Sequence, residues 1–122
     1  MAPDVVNLAA AFTRFTETWS PRIVGELNGQ HVKLARLAGE FVWHDHADAD
    51  ELFLVVRGTL RIRLEDRELV VGPGELTIIP RGVRHLPIAD DEVWVLLLEP
   101  AGTVSTGAAT DDPRTSTGTW LR

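Results

Sequence analysis

The sequence predicts an all-β sandwich or barrel that follows a short N-terminal helix. Turn residues such as Asn28-Gly29, Gly58 and Gly72-Pro73-Gly74 recur at short intervals, and they separate runs that suit strands better than helices. The run 60–64 alternates leucine or isoleucine with arginine, which is the two-residue period of a strand. Many short strands with little helix favour a sandwich or barrel. The candidate strands are 31–37, 40–46, 51–57, 59–65, 68–71, 76–79, 84–88 and 93–99.

The N-terminal helix is predicted over residues 5–16. Asp4 precedes it as a candidate N-cap, and Pro21 ends the segment. We interpret its apolar face as a docking surface for the sheet rather than as part of a cofactor site. That face consists of residues spaced four, three and four apart: Leu8, Phe12, Phe15 and Trp19.

The pattern divides the chain into three parts, which are a helical segment over 1–22, a barrel over 23–100 and a tail over 101–122. Residues 101–119 are mostly Gly, Ala, Ser, Thr and Asp, a composition typical of a loose tail. Trp120 and Leu121 are expected to dock the end of this tail back onto the domain.

Composition limits the class of protein. The 122 residues suit one domain, and a net charge of −6 argues against a nucleic-acid partner. The chain has no cysteine, so a metal would have to be held by imidazole and carboxylate groups. No apolar stretch reaches the length of a membrane span, and the N-terminus lacks a basic start. These features predict a cytoplasmic protein without a membrane partner.

Two of the four histidines stand two residues apart, at His44 and His46. On a strand, such residues point to the same face. Glu51 opens the next apolar run, and the segment 47–50 can turn the chain so that this run pairs with the first. His85 lies far along the chain, after a Pro-x-Gly turn.

Three imidazoles and one carboxylate make an ordinary ligand set for a first-row divalent metal. Four protein ligands on an octahedral ion would leave two open positions for water, substrate or dioxygen. We therefore predict one divalent transition metal, either Mn, Fe, Ni, Zn or Cu, on His44, His46, Glu51 and His85.

The frame around these residues resembles the cupin family. Gly39-x4-His44-x-His46-x4-Glu51-x6-Gly58 is similar to the first cupin motif, and Gly74-x5-Pro80-x-Gly82-x2-His85 is similar to the second. The first gap has four residues where five are common, and Ala89 stands where the family usually has Asn. The resemblance implies a double-stranded β-helix, the jelly-roll barrel of small single-domain cupins. Such proteins are often labelled sugar-phosphate-isomerase-like.

Four residues are candidates for contacts with a substrate. Lys33, Arg36 and Arg57 are charged residues within predicted strands, and each could bind an anionic group inside a pocket. A solvent-facing position is the favoured alternative for any one of them. Arg57 shares the parity of Glu51 if no bulge intervenes. Trp43, beside His44, fits a pocket mouth and a dimer interface equally well.

A divalent ion with one carboxylate ligand keeps a local charge of +1, which can polarise a carbonyl group or lower the pKa of bound water. Three functions are compatible with such a site. The first is a metal-dependent isomerase, epimerase or lyase that acts on a small carbonyl or sugar-like substrate. The second is a metal-dependent dioxygenase, and the third is a non-enzymatic module that binds a metal or small molecule. The runs Leu52–Val56 and Val93–Leu98, apolar on both faces, predict a homodimer.

Overall fold

A computed structural model describes residues 4–122. Within that range it has one short helix and eight strands, all of which belong to one sheet. No helix in that range is long and apolar enough to cross a membrane. The elements are α1 (Leu8–Phe12), β1 (Arg22–Leu27), β2 (Gln30–Glu40), β3 (Glu51–Arg57), β4 (Leu60–Arg63), β5 (Glu68–Val71), β6 (Leu76–Ile79), β7 (Leu86–Pro100) and β8 (Thr119–Trp120).

The long strand β7 holds the sheet together. The main strand path is β5-β4-β7-β2-β1-β8, and β3 pairs with both β7 and β6. The start of β7 pairs with β4, where Ile88 lies opposite Arg61. Its later part pairs with β3, where Leu97 lies opposite Phe53. One strand therefore borders three others. The mostly β architecture with a short N-terminal helix confirms the predicted fold class.

The core of the barrel follows the alternation of its strands. On β3, Glu51, Phe53 and Val55 are buried, while the residues between them are partly exposed. On β7 the residues from Val93 to Glu99 alternate in the same way. The apolar members of these inner rows form the main core together with residues such as Leu60 and Ile62. The inward face of these two strands therefore builds both the core and any site inside the barrel.

The N-terminal segment differs from the predicted helix. The helix covers only Leu8–Phe12, and its N-cap is Asn7 rather than Asp4, because the Asn7 side chain accepts a hydrogen bond from the Ala10 N–H at 2.9 Å. Phe12 packs against the outside of the sheet as expected, with its ring stacked 4.8 Å from Trp94. Trp19 does not continue that helix face. Its backbone has a φ of 57°, and its side chain packs against the barrel core.

The predicted strand over 40–46 is wrong. β2 ends at Glu40, and residues 41–50 form a loop whose one β-bridge joins His44 to His85. β3 accordingly pairs with β6 and β7 instead of with this segment. The predicted strand 93–99 and the end of the predicted strand 84–88 belong to the single strand β7, which begins at Leu86. β1 and β8 were not predicted.

The segment after Pro100 is packed against the barrel, so the expectation of a loose tail is also wrong. Thr106 is fully buried, and its hydroxyl lies 2.8 Å from that of Thr115. The end of the chain docks as expected. β8 pairs with β1, and the Leu121 N–H donates to the Ile23 carbonyl at 3.0 Å. Polar side chains and short turns hold this segment, which a composition pattern does not register. The domain boundaries themselves stay predictions.

Gly58 is a position where an added methyl group should destabilise the fold. Its φ is +84°, and a Cβ there would lie 2.8 Å from the carbonyl oxygen of Glu92. Gly39 has the same φ with open space around it, so it separates backbone strain from the close approach. We expect Gly39→Ala to lower the free energy of unfolding by about 1–2 kcal/mol and Gly58→Ala to lower it by about 1–3 kcal/mol more. Urea unfolding measures both, and equal losses would contradict the role of the close approach.

Candidate metal centre

The backbone brings the histidine segments together. The N–H of His44 donates to the carbonyl of His85 at 3.1 Å, and the N–H of His85 donates back to His44 at 2.9 Å. The N–H of Gly82, which has a φ of +77°, donates to the carbonyl of His46 at 2.9 Å. The ring centroids of His44 and His85 are consequently 4.2 Å apart, and those of His44 and His46 are 4.9 Å apart.

Glu51 reaches the same point from the first position of β3. Its carboxylate faces the interior because it shares the parity of Phe53 and Val55. Glu51 Oε1 lies 3.6 Å from His46 Nε2 and 3.6 Å from His85 Nε2. One ligand atom from each of these residues and from His44 lies within 4.8 Å of all the others, and all four residues are buried. The structure therefore brings the four sequence-predicted residues into one cluster.

Two backbone contacts orient the imidazoles. Nδ1 of His44 lies 2.9 Å from the carbonyl oxygen of Val42, and Nδ1 of His85 lies 2.9 Å from that of Val83. A carbonyl oxygen can only accept, so we assign the proton of each neutral ring to Nδ1. The Nε2 lone pairs are then free, which is the arrangement that metal-binding histidines use.

Unsatisfied polar atoms in the cluster indicate that its residues fit a metal ion. His46 Nε2, Glu51 Oε1 and His85 Nε2 are buried without a hydrogen-bond partner in the part of the chain that the structure describes. Buried polar atoms without a partner cost free energy. When the His46 ring also carries its proton on Nδ1, these atoms present lone pairs to one another, and a shared divalent cation would satisfy them all. Nitrogen and carboxylate donors in this ratio suit first-row transition metals.

The environment keeps the ligands in the protonation state that a metal needs. Burial and the neighbouring His85 lower the pKa of His44 to about 4. Burial acts to raise the pKa of Glu51, but the His46 and His85 rings, where they present N–H groups to it in the absence of a metal, outweigh burial and hold that pKa below its ordinary value. At neutral pH the cluster therefore contains a neutral His44 and an ionised carboxylate. Metal binding requires both.

A small cavity of about 40 Å³ opens beside the cluster, which is room for about three water molecules. Two members of the cluster, His44 and Glu51, form part of its wall. The other polar lining residues are Glu99 and Ser105, and the latter comes from the C-terminal segment. The remaining lining residues are apolar: Trp19, Pro21, Ala35, Leu37, Phe41, Phe53, Pro87, Val95 and Leu97.

Lys33 and Glu99 form an ion pair inside the barrel. Lys33 Nζ lies 3.0 Å from Glu99 Oε1, and the side chains are 1% and 2% exposed. The solvent-facing alternative favoured for Lys33 is therefore wrong. Burial and the charge of Glu51 raise the pKa of Glu99, and Lys33 opposes that rise. Sequence reasoning missed Glu99, although the inward alternation Val93, Val95, Leu97 continues to it.

Like Lys33, the other candidate substrate residues do not line the cavity. Arg36 is paired with Glu92 at 2.8 Å and donates to the carbonyl of Phe15. Arg57 is exposed and stands over the Trp94 ring, because a register shift between Val55 and Arg57 breaks the parity with Glu51.

Trp43 is partly buried and packs near Arg84, 5.8 Å from its guanidinium carbon. His31 lies outside the cluster, with Nε2 3.1 Å from Glu26. The lining residues Trp19, Phe41 and Ser105 were missed. They come from irregular segments in which no strand period indicates direction.

The barrel and the buried His₃Glu cluster define the class of protein: a β-barrel that carries a buried candidate metal centre. A family model for the cupin domain, Cupin_2, matches residues 30–99. The chain therefore belongs to the cupin family.

Individual relatives agree with this assignment. The chain is 44% identical to a cupin-2 domain containing protein from Shewanella frigidimarina, whose structure aligns with a TM-score of 0.78 over 79% of this chain and 94% of that one. Protein NMB1881 from Neisseria meningitidis is 26% identical, with a TM-score of 0.73 over 80% and 99% of the two chains. The uncharacterized protein YdbB of Bacillus subtilis is 38% identical over 80 residues, which are 65% of this chain and 71% of that protein. These similarities confirm the predicted double-stranded β-helix.

Proposed function

We propose that this cupin is a metal-dependent enzyme that acts on a small carbonyl compound as an isomerase, epimerase or lyase. His44, His46, Glu51 and His85 would hold one divalent transition metal. The observation that carries the proposal is a buried cluster of polar side-chain atoms that find no hydrogen-bond partner among the described residues, beside a small and mostly apolar cavity. A small-molecule substrate is the partner that such a cavity suits. A cytoplasmic location stays a prediction.

The bound metal would supply Lewis acidity, which polarises a carbonyl group and stabilises negative charge that develops on its oxygen. The residues of the chain would do the rest. His44 and Glu51 form the wall between the cluster and the cavity, so a ligand in the cavity lies next to the metal centre. The lining is mostly apolar, and electrostatic interactions are stronger in surroundings of low polarity.

A dioxygenase is the second candidate, and one observation favours it. Most residues that line the cavity are apolar, and this lining suits an uncharged diatomic molecule as well as a carbonyl compound. A His₃Glu ligand set with two open positions would accept substrate and dioxygen together. The non-enzymatic alternative, a module that binds a metal or small molecule, uses the same cluster without turnover.

Metal content tests the ligand assignment. Protein purified without chelator is expected to contain about one divalent transition-metal ion per chain, and the double variant His44→Ala/His46→Ala is expected to lose it. His31→Ala is the matched control, because His31 lies outside the cluster and contacts Glu26. Elemental analysis measures all three proteins. Metal at a hundred-fold excess over its dissociation constant should also stabilise the wild type by about 2.7 kcal/mol. Equal metal content in the wild type and the double variant would refute the assignment.

Reaction class is tested by the fate of the substrate's C–H protons. We expect the metal-loaded protein in D₂O to exchange protons next to the carbonyl of small hydroxyketones, as followed by NMR, without oxygen consumption. The double variant should reduce the exchange rate by a factor of about 100 or more, since metal Lewis acidity contributes several kcal/mol. Oxygen uptake with oxidised products would assign the dioxygenase instead. Tight ligand retention without exchange or uptake would assign the binding module.

We also propose that two copies of this chain pair through the outer face of β3 and β6. Outward residues of these strands lie opposite one another, with Leu52 paired to Ile78 and Leu54 paired to Leu76. Leu76 and Ile78 are 57% and 55% exposed. Leu98 on β7 extends the row beyond Leu52. Contiguous apolar surface of this kind indicates a protein contact, and a second copy would cover it with the same leucines and isoleucine.

A lysine in this patch should weaken the dimer. Ile78→Lys places a charge within the outer face, and we expect sedimentation at micromolar concentration to shift from dimer to monomer, with a dissociation constant raised at least about tenfold. Val70→Lys is the matched control, because Val70 is 63% exposed on β5. A monomeric wild type, or a dimer that Ile78→Lys leaves intact, would reject this interface.

A further inference from the structure

Two aromatic side chains form one wall of the cavity. Trp19 and Phe41 form an aromatic wall, with ring centroids 4.4 Å apart and planes inclined by 13°. Phe41 also meets His44 edge-on at 5.5 Å. The Trp19 side chain is fixed from behind, since its Nε1 donates to the carbonyl of Ala38 at 2.7 Å. A rigid aromatic surface therefore leads directly to the candidate metal centre.

Trp19 holds this position with strain. Its φ of 57° is in the left-handed region, which costs a residue other than glycine about 1–2 kcal/mol. Its N–H donates to the carbonyl of Arg36 at 2.8 Å, and this bond contributes to fixing the backbone. Strained residues that the surroundings hold in place concentrate at functional sites.

The charged residues that line the cavity are acidic. No lysine or arginine between residues 4 and 122 lines it, whereas two carboxylates do, those of Glu51 and Glu99. The buried ammonium of Lys33 is already paired with Glu99 at 3.0 Å. The guanidinium of Arg114 stands over Phe41 but is bound to Asp112 at 2.8 Å. A phosphate group in the cavity would therefore meet the carboxylate of Glu51, the acidic side chain of Glu99 and no lysine or arginine of the described residues, and burying such a charge is costly.

The size of the cavity and the C-terminal segment in its wall also limit the ligand. The cavity is about 40 Å³, far below the several hundred Å³ of pockets that hold drug-sized ligands. Ser105 places the C-terminal segment in its wall. That segment lies close to the loop 41–50, as Gly107 shows: a Cβ on this residue would lie 2.0 Å from the Asp45 carbonyl oxygen. The space suits a ligand of few atoms.

From these walls, charges and dimensions we infer that the cavity takes a small, largely apolar carbonyl ligand without a phosphate group, and that Trp19 and Phe41 select it. The inference rests on the proposed function, since the ligand's oxygen atoms would bind the metal. It places sugar phosphates outside the substrate class.

Two hydroxamates with the same metal-binding head test this inference. Isobutyrohydroxamate carries a short branched alkyl group, and phosphoglycolohydroxamate carries a phosphate. Calorimetric titration of the Mn²⁺-loaded protein is expected to give an affinity at least tenfold higher for the alkyl compound. An equal or higher affinity for the phosphorylated compound would overturn the inference and leave the metal proposal standing. If neither compound binds to protein shown to contain Mn²⁺, the proposed open metal site fails, and the inference fails with it.

Two variants test separately the effect of the aromatic wall and the effect of the missing cation on ligand affinity. Trp19→Leu should weaken binding of the alkyl hydroxamate at least fivefold, whereas Trp120→Leu, a matched change at a residue that is 40% exposed, should leave it within twofold. Ser105→Lys supplies a cation at the partly buried cavity wall, and we expect it to raise the affinity for the phosphorylated compound at least tenfold. Circular dichroism and Mn²⁺ content establish that each variant is folded and loaded. Equal effects of the two tryptophan substitutions, or a Ser105→Lys variant with unchanged affinity, would contradict the inference.

Discussion

The candidate metal centre rests on the burial of unsatisfied polar atoms that face one another. His46 Nε2, Glu51 Oε1 and His85 Nε2 have no donor among the residues that the structure describes, although a protein interior ordinarily pairs such atoms. The two backbone hydrogen bonds between His44 and His85 favour this arrangement, because they fix the backbone positions from which both imidazole side chains extend. The fold therefore holds the ligands in place before any cation arrives. A shared cation would remove the cost of burying them.

Glu99 and Lys33 extend this buried charge system across the barrel. A carboxylate beside Glu51 would repel it, and that repulsion contributes to raising the pKa of Glu99. Lys33 offsets the repulsion from the other side at 3.0 Å. A buried pair of this kind adds little net stability against an apolar core. Its consequence here is chemical, since the buried Lys33 already contacts Glu99 and the described residues place no lysine or arginine in the cavity wall.

The cluster of candidate metal ligands was predictable, whereas the shape of the cavity was not. The spacing of His44, His46 and Glu51 within a glycine frame indicates ligands even though the predicted strand over 40–46 does not form, because one bridge at His44 suffices to direct the rings. The walls depend on tertiary contacts that no period reports. Trp19 continues a helical spacing in the sequence, but the helix stops at Phe12. The segment after Pro100 looks loose by composition, yet Thr106 is fully buried.

The same strands present different chemistry on their two faces, and this links the two proposed surfaces. Glu51 and Phe53 of β3 point into the barrel, while Leu52 between them points outward towards Ile78. A strand that is apolar outside can be covered by a second copy without any change in its inward residues. Coverage would restrict the motion of β3, and the carboxylate of Glu51 moves with that strand. Pairing of two chains would therefore keep Glu51 positioned against His46 and His85, so that the outer leucines support a site which they do not touch.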